Sequence, residues 1–307
     1  MGAVKMHIRN VIKFRVLFLM MLPTLAIVIF NNYLPMFGVV LAFKNFTFSD
    51  GIWGSAWAGL NNFKYLFQTD IAWLATKNTI SYNSIFIILN NVFAVGLAIL
   101  LNEIRNGRLK SVFQSTILFP YFLSYVAVSY VLYAFLGESG FINMTVLKGL
   151  GIDAVSWYSA ADKWHFILPL VNTWKNVGYF AVVYLAAIVS IDPEYYEAAV
   201  IDGASKWKQI MHITVPMMFP IIVIMTLLQV SRIFNADFGL FYQAPLNSGA
   251  LQNATEVMDT FVYRNFLLNG DVGMSSAAGL YQAVVGFVLV LVANTVVRRI
   301  NKENALF

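Results

Sequence analysis

Residues 194–216, EYYEAAVIDGASKWKQIMHITVP, are the most polar stretch in the second half of a chain that is 59% hydrophobic. Long apolar runs flank them on both sides. Their pattern predicts two short amphipathic helices that meet at Asp202-Gly203. Asp192-Pro193 gives a helix start, because Asp accepts from free N–H groups and Pro suits the first turn. Tyr196, Ala199 and Val200 then share one face. Gly203 allows the left-handed backbone that ends a helix, and Ser205 caps the next one. Pro216 opens the apolar run that follows. A polar helix–turn–helix between two apolar runs predicts a membrane protein with an ordered loop outside the bilayer.

Composition agrees. Only 11% of the 307 residues are charged, against about 25% in soluble domains, and the mean hydropathy is +0.70. A chain of this kind has no aqueous core large enough to hide its apolar surface. There is no cysteine, which excludes disulfides, thiolate metal sites and a Cys nucleophile. His7, His165 and His212 are scattered, which argues against a His-based metal site. The formal net charge of +5 reports membrane topology and anionic lipid rather than nucleic-acid binding.

A bilayer core of about 30 Å needs roughly 20 apolar helical residues. Six stretches qualify: 16–42, 74–101, 111–136, 165–190, 217–236 and 276–297. The first is too long for a signal peptide and lacks a small-residue cleavage site, so it is a retained helix kinked or ended by Pro23 and Pro35. Alternate loops then differ in basic residues. One side holds twelve: Lys5, Arg9, Lys13, Arg15, Arg105, Arg108, Lys110, Lys206, Lys208, Arg298, Arg299 and Lys302. The other holds five: Lys44, Lys64, Lys148, Lys163 and Arg264. The richer side is cytoplasmic by the positive-inside rule, which places both termini and the 192–216 segment there. The outer loops 44–73 and 237–275 carry many aromatics, which serve as belt anchors or as a docking surface for an external partner.

None of the six stretches contains Asp or Glu. Carriers driven by protons or sodium commonly keep a carboxylate in the membrane to bind the coupling ion. No Walker loop occurs either, so any energy for uphill transport comes from another subunit. The cytoplasmic segment is suited to receiving it. Ala198, Ala199 and Ala204 at its bend let another backbone approach, and Glu197 offers a charge to Arg or Lys across an interface.

Residues 197–216 resemble the EAA signature of permease subunits in bacterial ABC importers. Glu197, Ala198, Ala199, Gly203, Ile213 and Pro216 match it, and Val215 stands where Leu is usual. LFPYFLSYVAVSYVLYAFLGESGFINMTVL (118–147), with its Gly140-Phe-Ile-Asn143, and GDVGMSSAAGLYQAVVGFVLVLVANTVVRR (270–299) are similar to the third-span and last-span regions of carbohydrate permeases. The resemblance covers roughly residues 60–300 and is nearest to permeases that import oligosaccharides or polysaccharide fragments. It implies an all-α, six-span type I ABC importer permease fold. The chain is then a single membrane domain over 1–307, with a cytoplasmic N-terminus at 1–15, a permease core over about 74–298 and a coupling segment at 192–216. It also implies partners: two ATP-binding cassette ATPase subunits, and a second related permease in a heterodimer. An extracellular solute-binding lipoprotein or periplasmic binding protein completes the set. No cofactor is bound by this chain; ATP and Mg are used by the ATPase. The location implied is a bacterial cell membrane. In this scheme Glu197, Ala198, Ala199, Asp202, Gly203 and Ala204 dock into a groove on the ATPase, and its closure moves the spans.

For the substrate path, Asn172, Lys175, Asn176 and Tyr179 recur at i, i+3, i+4 and i+7 in span four, one face of a helix. Gln229, Ser231, Arg232 and Asn235 continue the polar set in span five. Polar groups at membrane depth face the bundle interior or a wet cavity. Trp174, Tyr179 and Tyr125 offer aromatic faces to pyranose rings. Lys175 and Arg232, with no acid in the spans to neutralise them, favour a substrate bearing carboxylates, such as a uronic-acid oligosaccharide. Three other functions compete with this one. The first is an importer for a different solute, such as an amino acid or phosphorylated polyol. A passive channel would not need the 192–216 segment, and an intramembrane enzyme lacks membrane carboxylates, cysteine and a Ser/His pair.

Overall fold

A computed structural model describes residues 13–300, which are largely helical. Lys5, Arg9 and Lys302 of the charge count, and His7, lie outside the described residues. The helices that matter below are α1 (Arg15–Phe43), α2 (Asp70–Asn102), α3 (Gly107–Phe122), α4 (Tyr125–Leu136) and α5 (Ala161–Val189). After them come α6 (Pro193–Ile201), α7 (Lys206–Val230), α8 (Phe238–Gln243), α9 (Met258–Leu267) and α10 (Val272–Ile300). Four of them, α1, α2, α7 and α10, are long and apolar enough to cross a membrane. Taking α3 with α4, and α5 with α6, as bent spans brings the number to six.

Contacts divide the chain into two units. The first comprises residues 13–66 and 265–280. Its α1 does not stop at either proline. The helix passes Pro23, shifts to a π turn over Ile29–Tyr33 and then to a 3-10 form over Leu34–Phe43, with Pro35 in its first turn. A first-turn position asks nothing of the missing proline N–H, so the chain continues. A two-residue antiparallel ribbon follows, β1 (Lys44–Asn45) against β2 (Ala56–Trp57). Buried Lys44 holds the intervening loop by donating to the carbonyls of Ile52 and Trp53, both at 2.9 Å. Asn62 donates to the carbonyls of Ala42 and Lys44 at 2.9 and 3.0 Å, which ties the next turn to the ribbon.

The second unit comprises residues 67–264 and 281–300. Its frame is α2 packed along α5. Tyr82, Phe86, Asn90, Ala94 and Ala98 are buried at four-residue intervals on α2, and such spacing builds one continuous ridge. On α5, Leu168, Val171, Ala181, Leu185 and Ile188 are buried. Two apolar clusters result, one around Tyr82, Trp164, Leu168 and Phe241, the other around Ala94, Ala181, Tyr184 and Met218. Gly178 lets α3 reach α5: a Cβ there would lie 1.9 Å from the carbonyl oxygen of Ile117. Small residues allow such close helix contact in membranes.

Span three, expected as one helix over 111–136, is broken. The axes of α3 and α4 differ by 98°. Pro120 sits in the last turn of α3, and Ser124 restarts the helix by accepting from the Ala127 N–H at 3.2 Å. Span five also differs. No separate short helix precedes it; α7 runs from Lys206 to Val230. A π turn over Ile210–Thr214, closed by the Val215 N–H on the Ile210 carbonyl, sits just before Pro216. The wider turn accommodates a residue that cannot donate and would crowd the carbonyl four positions back. The span then ends at Val230 rather than 236, and residues 231–237 are turn and coil before α8.

Candidate functional site

The bend at 192–216 is built as its sequence predicts. The Asp192 carboxylate accepts from the Glu194 N–H at 3.0 Å and caps α6, with Pro193 in its first turn. At the other end Gly203 has φ +74°. The Ala204 N–H bonds the Ala199 carbonyl at 2.8 Å and the Gly203 N–H bonds that of Val200 at 3.0 Å, the pair of bonds that closes a Schellman cap. Ser205 Oγ accepts from the Lys208 N–H at 3.4 Å and starts α7. Gln209 is buried and donates to the Ala204 carbonyl at 3.0 Å. Tyr196 and Thr214 share a hydroxyl bond at 3.0 Å, which ties α6 to the base of α7.

What this bend offers outward is equally clear. Glu197, Ala198 and Asp202 are exposed, whereas Ala199 and Ala204 are half-buried against the turn. Val200 and Ile201 are 61% and 86% exposed, apolar side chains left uncovered among the described residues. Glu197 makes no ion pair among the described residues. Lys206 lies 3.4 Å from Glu103, so the α2–α3 loop and the bend occupy the same end of the unit. That pair is exposed and contributes little energy; its value is positional.

The second feature is a cavity of about 420 Å³ between α2, α5 and α7. Five of the predicted path residues line it: Asn172, Asn176 and Tyr179 from α5, and Arg232 and Asn235 from the unwound stretch after α7. Gln229 and Ser231 join them. Asn83 and Asn90 of α2 also line it and were not singled out from the sequence. They stand seven positions apart, on one face of the helix. Asn90 donates to the Asn172 side-chain oxygen at 3.1 Å, and its own Oδ1 is buried without a partner among the described residues. Asn83 reaches the carbonyls of Ile233 and Asn235 at 2.8 and 3.3 Å, which supports the unwound stretch. Amides at this density supply both donors and acceptors, the chemistry that a polyhydroxylated ligand requires.

Lys175, Tyr125 and Trp174 do not line the cavity. The Lys175 ammonium is buried and donates to the carbonyls of Pro120, Tyr121 and Leu123 at 3.3, 2.8 and 2.5 Å. These are the groups exposed where α3 breaks, so the cation substitutes for missing helical partners and meets the negative end of α3. The rings of Tyr125 and Tyr121 flank it at 4.9 and 5.8 Å. Asp237, just past span five, caps α8 and its charge reaches Lys175. Tyr125 also packs against Gly239, where an added Cβ would lie 2.5 Å from the ring. Trp174 points elsewhere and is 44% exposed. Tyr179 stacks on Tyr121 at 4.9 Å.

On the segment before α10, Glu256 is buried and paired with Arg264, which also donates to Asn247 at 2.8 Å. Asp259 accepts from the Ala236 N–H at 2.7 Å and from Gln282 at 3.1 Å. Burial pushes its carboxyl above the usual aspartate range. These contacts fix the start of α8, and with it the far wall of the unwound stretch.

The family described as binding-protein-dependent transport system inner membrane component matches residues 94–302. The polygalacturonan/rhamnogalacturonan transport system permease protein YteP of Bacillus subtilis strain 168 is 31% identical over 294 residues, which cover 96% of this chain and 91% of that one. A chain from a bacterial ABC transporter involved in import of the acidic polysaccharide alginate is 31% identical and superposes with a TM-score of 0.87, covering 95% of this chain and 98% of that one. The alginate transporter in complex with an alginate pentasaccharide-bound periplasmic protein gives 30% identity and a TM-score of 0.86 over 96% and 98%.

Proposed function

Because the chain belongs to the family of binding-protein-dependent transport system inner membrane components, we propose that it is the permease subunit of an ATP-driven importer of oligosaccharides. It takes the sugar from an external binding protein and passes it through the amide-lined cavity. Asn172, Asn176, Tyr179, Asn235 and Arg232, with Asn83 and Asn90, contact the cargo. Lys175 and Tyr125 shape the wall from behind and do not touch it. Energy enters at the bend: Glu197 pairs with a basic residue of a partner ATPase, and Val200 and Ile201 fill its groove. Two such ATPases and a second related permease complete the assembly, with the bend facing the cytoplasm.

One observation carries this reading. The capped, outward-facing bend at Gly203 is continuous through α7 with the stretch that lines the cavity. A passive pore has no use for such a connection. The names of the relatives support the class of cargo, and the amide lining supports a polyhydroxylated one.

The test begins with purification of the chain from its source membrane in detergent and identification of its companions. An ATPase and a second permease are expected. Proteoliposomes of that complex should then accumulate labelled oligosaccharide only with ATP and the binding protein. Uptake that is unchanged when ATP is omitted removes the proposal. For orientation, a cysteine replacing Ile201 should react with an impermeant maleimide only after the cells are opened.

A further inference from the structure

Two cations of the membrane-embedded part, Lys175 and Arg232, invite a role in cargo recognition, and the structure separates them. Lys175 has all three ammonium donors committed to backbone carbonyls at the break of span three. It has nothing left for a ligand. Arg232 is different. It lies on the unwound stretch behind α7, lines the cavity, and its side chain has neither an ion pair nor a hydrogen bond among the described residues. The polar side chains that share the lining with it are uncharged: the amides of Asn83, Asn176, Gln229 and Asn235 among them, with the hydroxyls of Ser231 and Tyr179. No carboxylate among the described residues lines the cavity.

Arg232 is exposed just past the end of α7, so its guanidinium is kept charged without a protein partner and its donors stay free for a ligand. Its planar fork of donors fits a carboxylate bidentately, which an ammonium does not do. The neighbouring amides match hydroxyl groups and carry no charge of their own. The cavity therefore holds one unpaired positive charge beside groups that read a sugar ring. We propose that Arg232 is the specificity-determining residue of the path and that it receives the carboxylate of a uronate-bearing oligosaccharide. This deepens the oligosaccharide reading above and rests on it.

The test compares uptake of a galacturonate trisaccharide and of its methyl-esterified form in proteoliposomes that hold the complete transporter, its binding protein and ATP. The same binding protein serves every variant, so the variant-to-wild-type ratio for each sugar cancels its selectivity. For Arg232→Gln, acid uptake should fall about tenfold or more, the loss expected of a hydrogen bond to a charged group. Ester uptake should change by less than about twofold. Arg232→Lys should fall between wild type and Arg232→Gln for the acid, while Lys175→Met should lower both sugars alike.

Equal loss of both sugars in Arg232→Gln, or loss of neither, overturns the proposal. If wild type carries no ester, the Lys and Gln variants decide. Equal uptake of the acid by the two overturns the assignment, and severalfold more by Lys upholds it. Wild-type uptake of neither sugar by a complex that hydrolyses ATP overturns the sugar reading itself, a result distinct from the others.

Discussion

At the scale of single residues, Gly203 shows how little chemistry a bend needs. Its surroundings are open, since a Cβ there would meet nothing within 4 Å. The cost of a side chain lies wholly in the left-handed backbone, about 1–2 kcal/mol for an ordinary residue. Gly203→Ala should therefore leave expression and membrane insertion intact and lower ATP-dependent uptake, while Gly203→Asn, better tolerated in this conformation, should lose less. Uptake per mole of purified complex measures both. Asp259 supplies a pH effect. Its folded pKa is raised by burial, so the folded state holds its proton more tightly than the unfolded chain does. The stability this gives is fully present below the unfolded pKa of about 3.9 and is lost as pH rises through the raised value. Melting of the detergent-solubilised protein should show a loss on raising pH through that window which Asp259→Asn removes. The residues that sequence periodicity placed together, Asn172, Asn176 and Tyr179, do share a cavity. Lys175 falls on the same helical face and yet leaves it, because its long stem reaches across to α3. Periodicity reports where a side chain starts, not where a flexible one ends.

At the scale of elements, the broken third span depends on a cation that comes from another helix. Lys175→Met removes the donor to three carbonyls and should destabilise the unit by about 1.5–3 kcal/mol, the range for hydrogen bonds to a charged group. Lys175→Arg should recover part of that loss; a melting series in detergent measures both. Gly178→Val drives a Cβ into the Ile117 carbonyl, and overpacking of this kind costs about 1–3 kcal/mol. Its effect should appear as a lower melting temperature with α3 and α5 pushed apart. The contrast in legibility is physical. The caps of α6 and α7 were readable because Asp192, Gly203 and Ser205 act on backbone groups within three residues or so of themselves. The break at Leu123 and Ser124 was not, because its stabilising ammonium lies 52 residues along the chain. Pro120 marked the place without showing the angle. Asn83 and Asn90 were missed for a related reason. Their value comes from facing α5 and the stretch after α7, and local sequence does not reveal the neighbours of an apolar span.

At the scale of the whole molecule, the number of spans and the polar loop between the fourth and fifth could be read from hydropathy alone, but the start of the fifth could not. An apolar-length rule places it after Pro216, and a propensity rule makes the preceding turn a separate helix. The π turn at Ile210–Thr214 defeats both by carrying the helix past the proline. Replacing Met217 and Phe219, both exposed, with glycine should weaken α7 by about 1 kcal/mol per site. ATPase co-purification should survive, and uptake should fall severalfold. From Lys206 to Arg232 the path takes 26 residue steps, roughly 39 Å at 1.5 Å rise per residue, and almost all of it is one helix. Such a rod turns or slides as a piece. A twist applied at its Lys206 end is carried along the helix toward the stretch that holds Arg232. If the proposals above hold, the surface that meets the ATPase and the group that meets the cargo share one crankshaft, and release of the anion would follow from rotating its binding group away rather than from neutralising it.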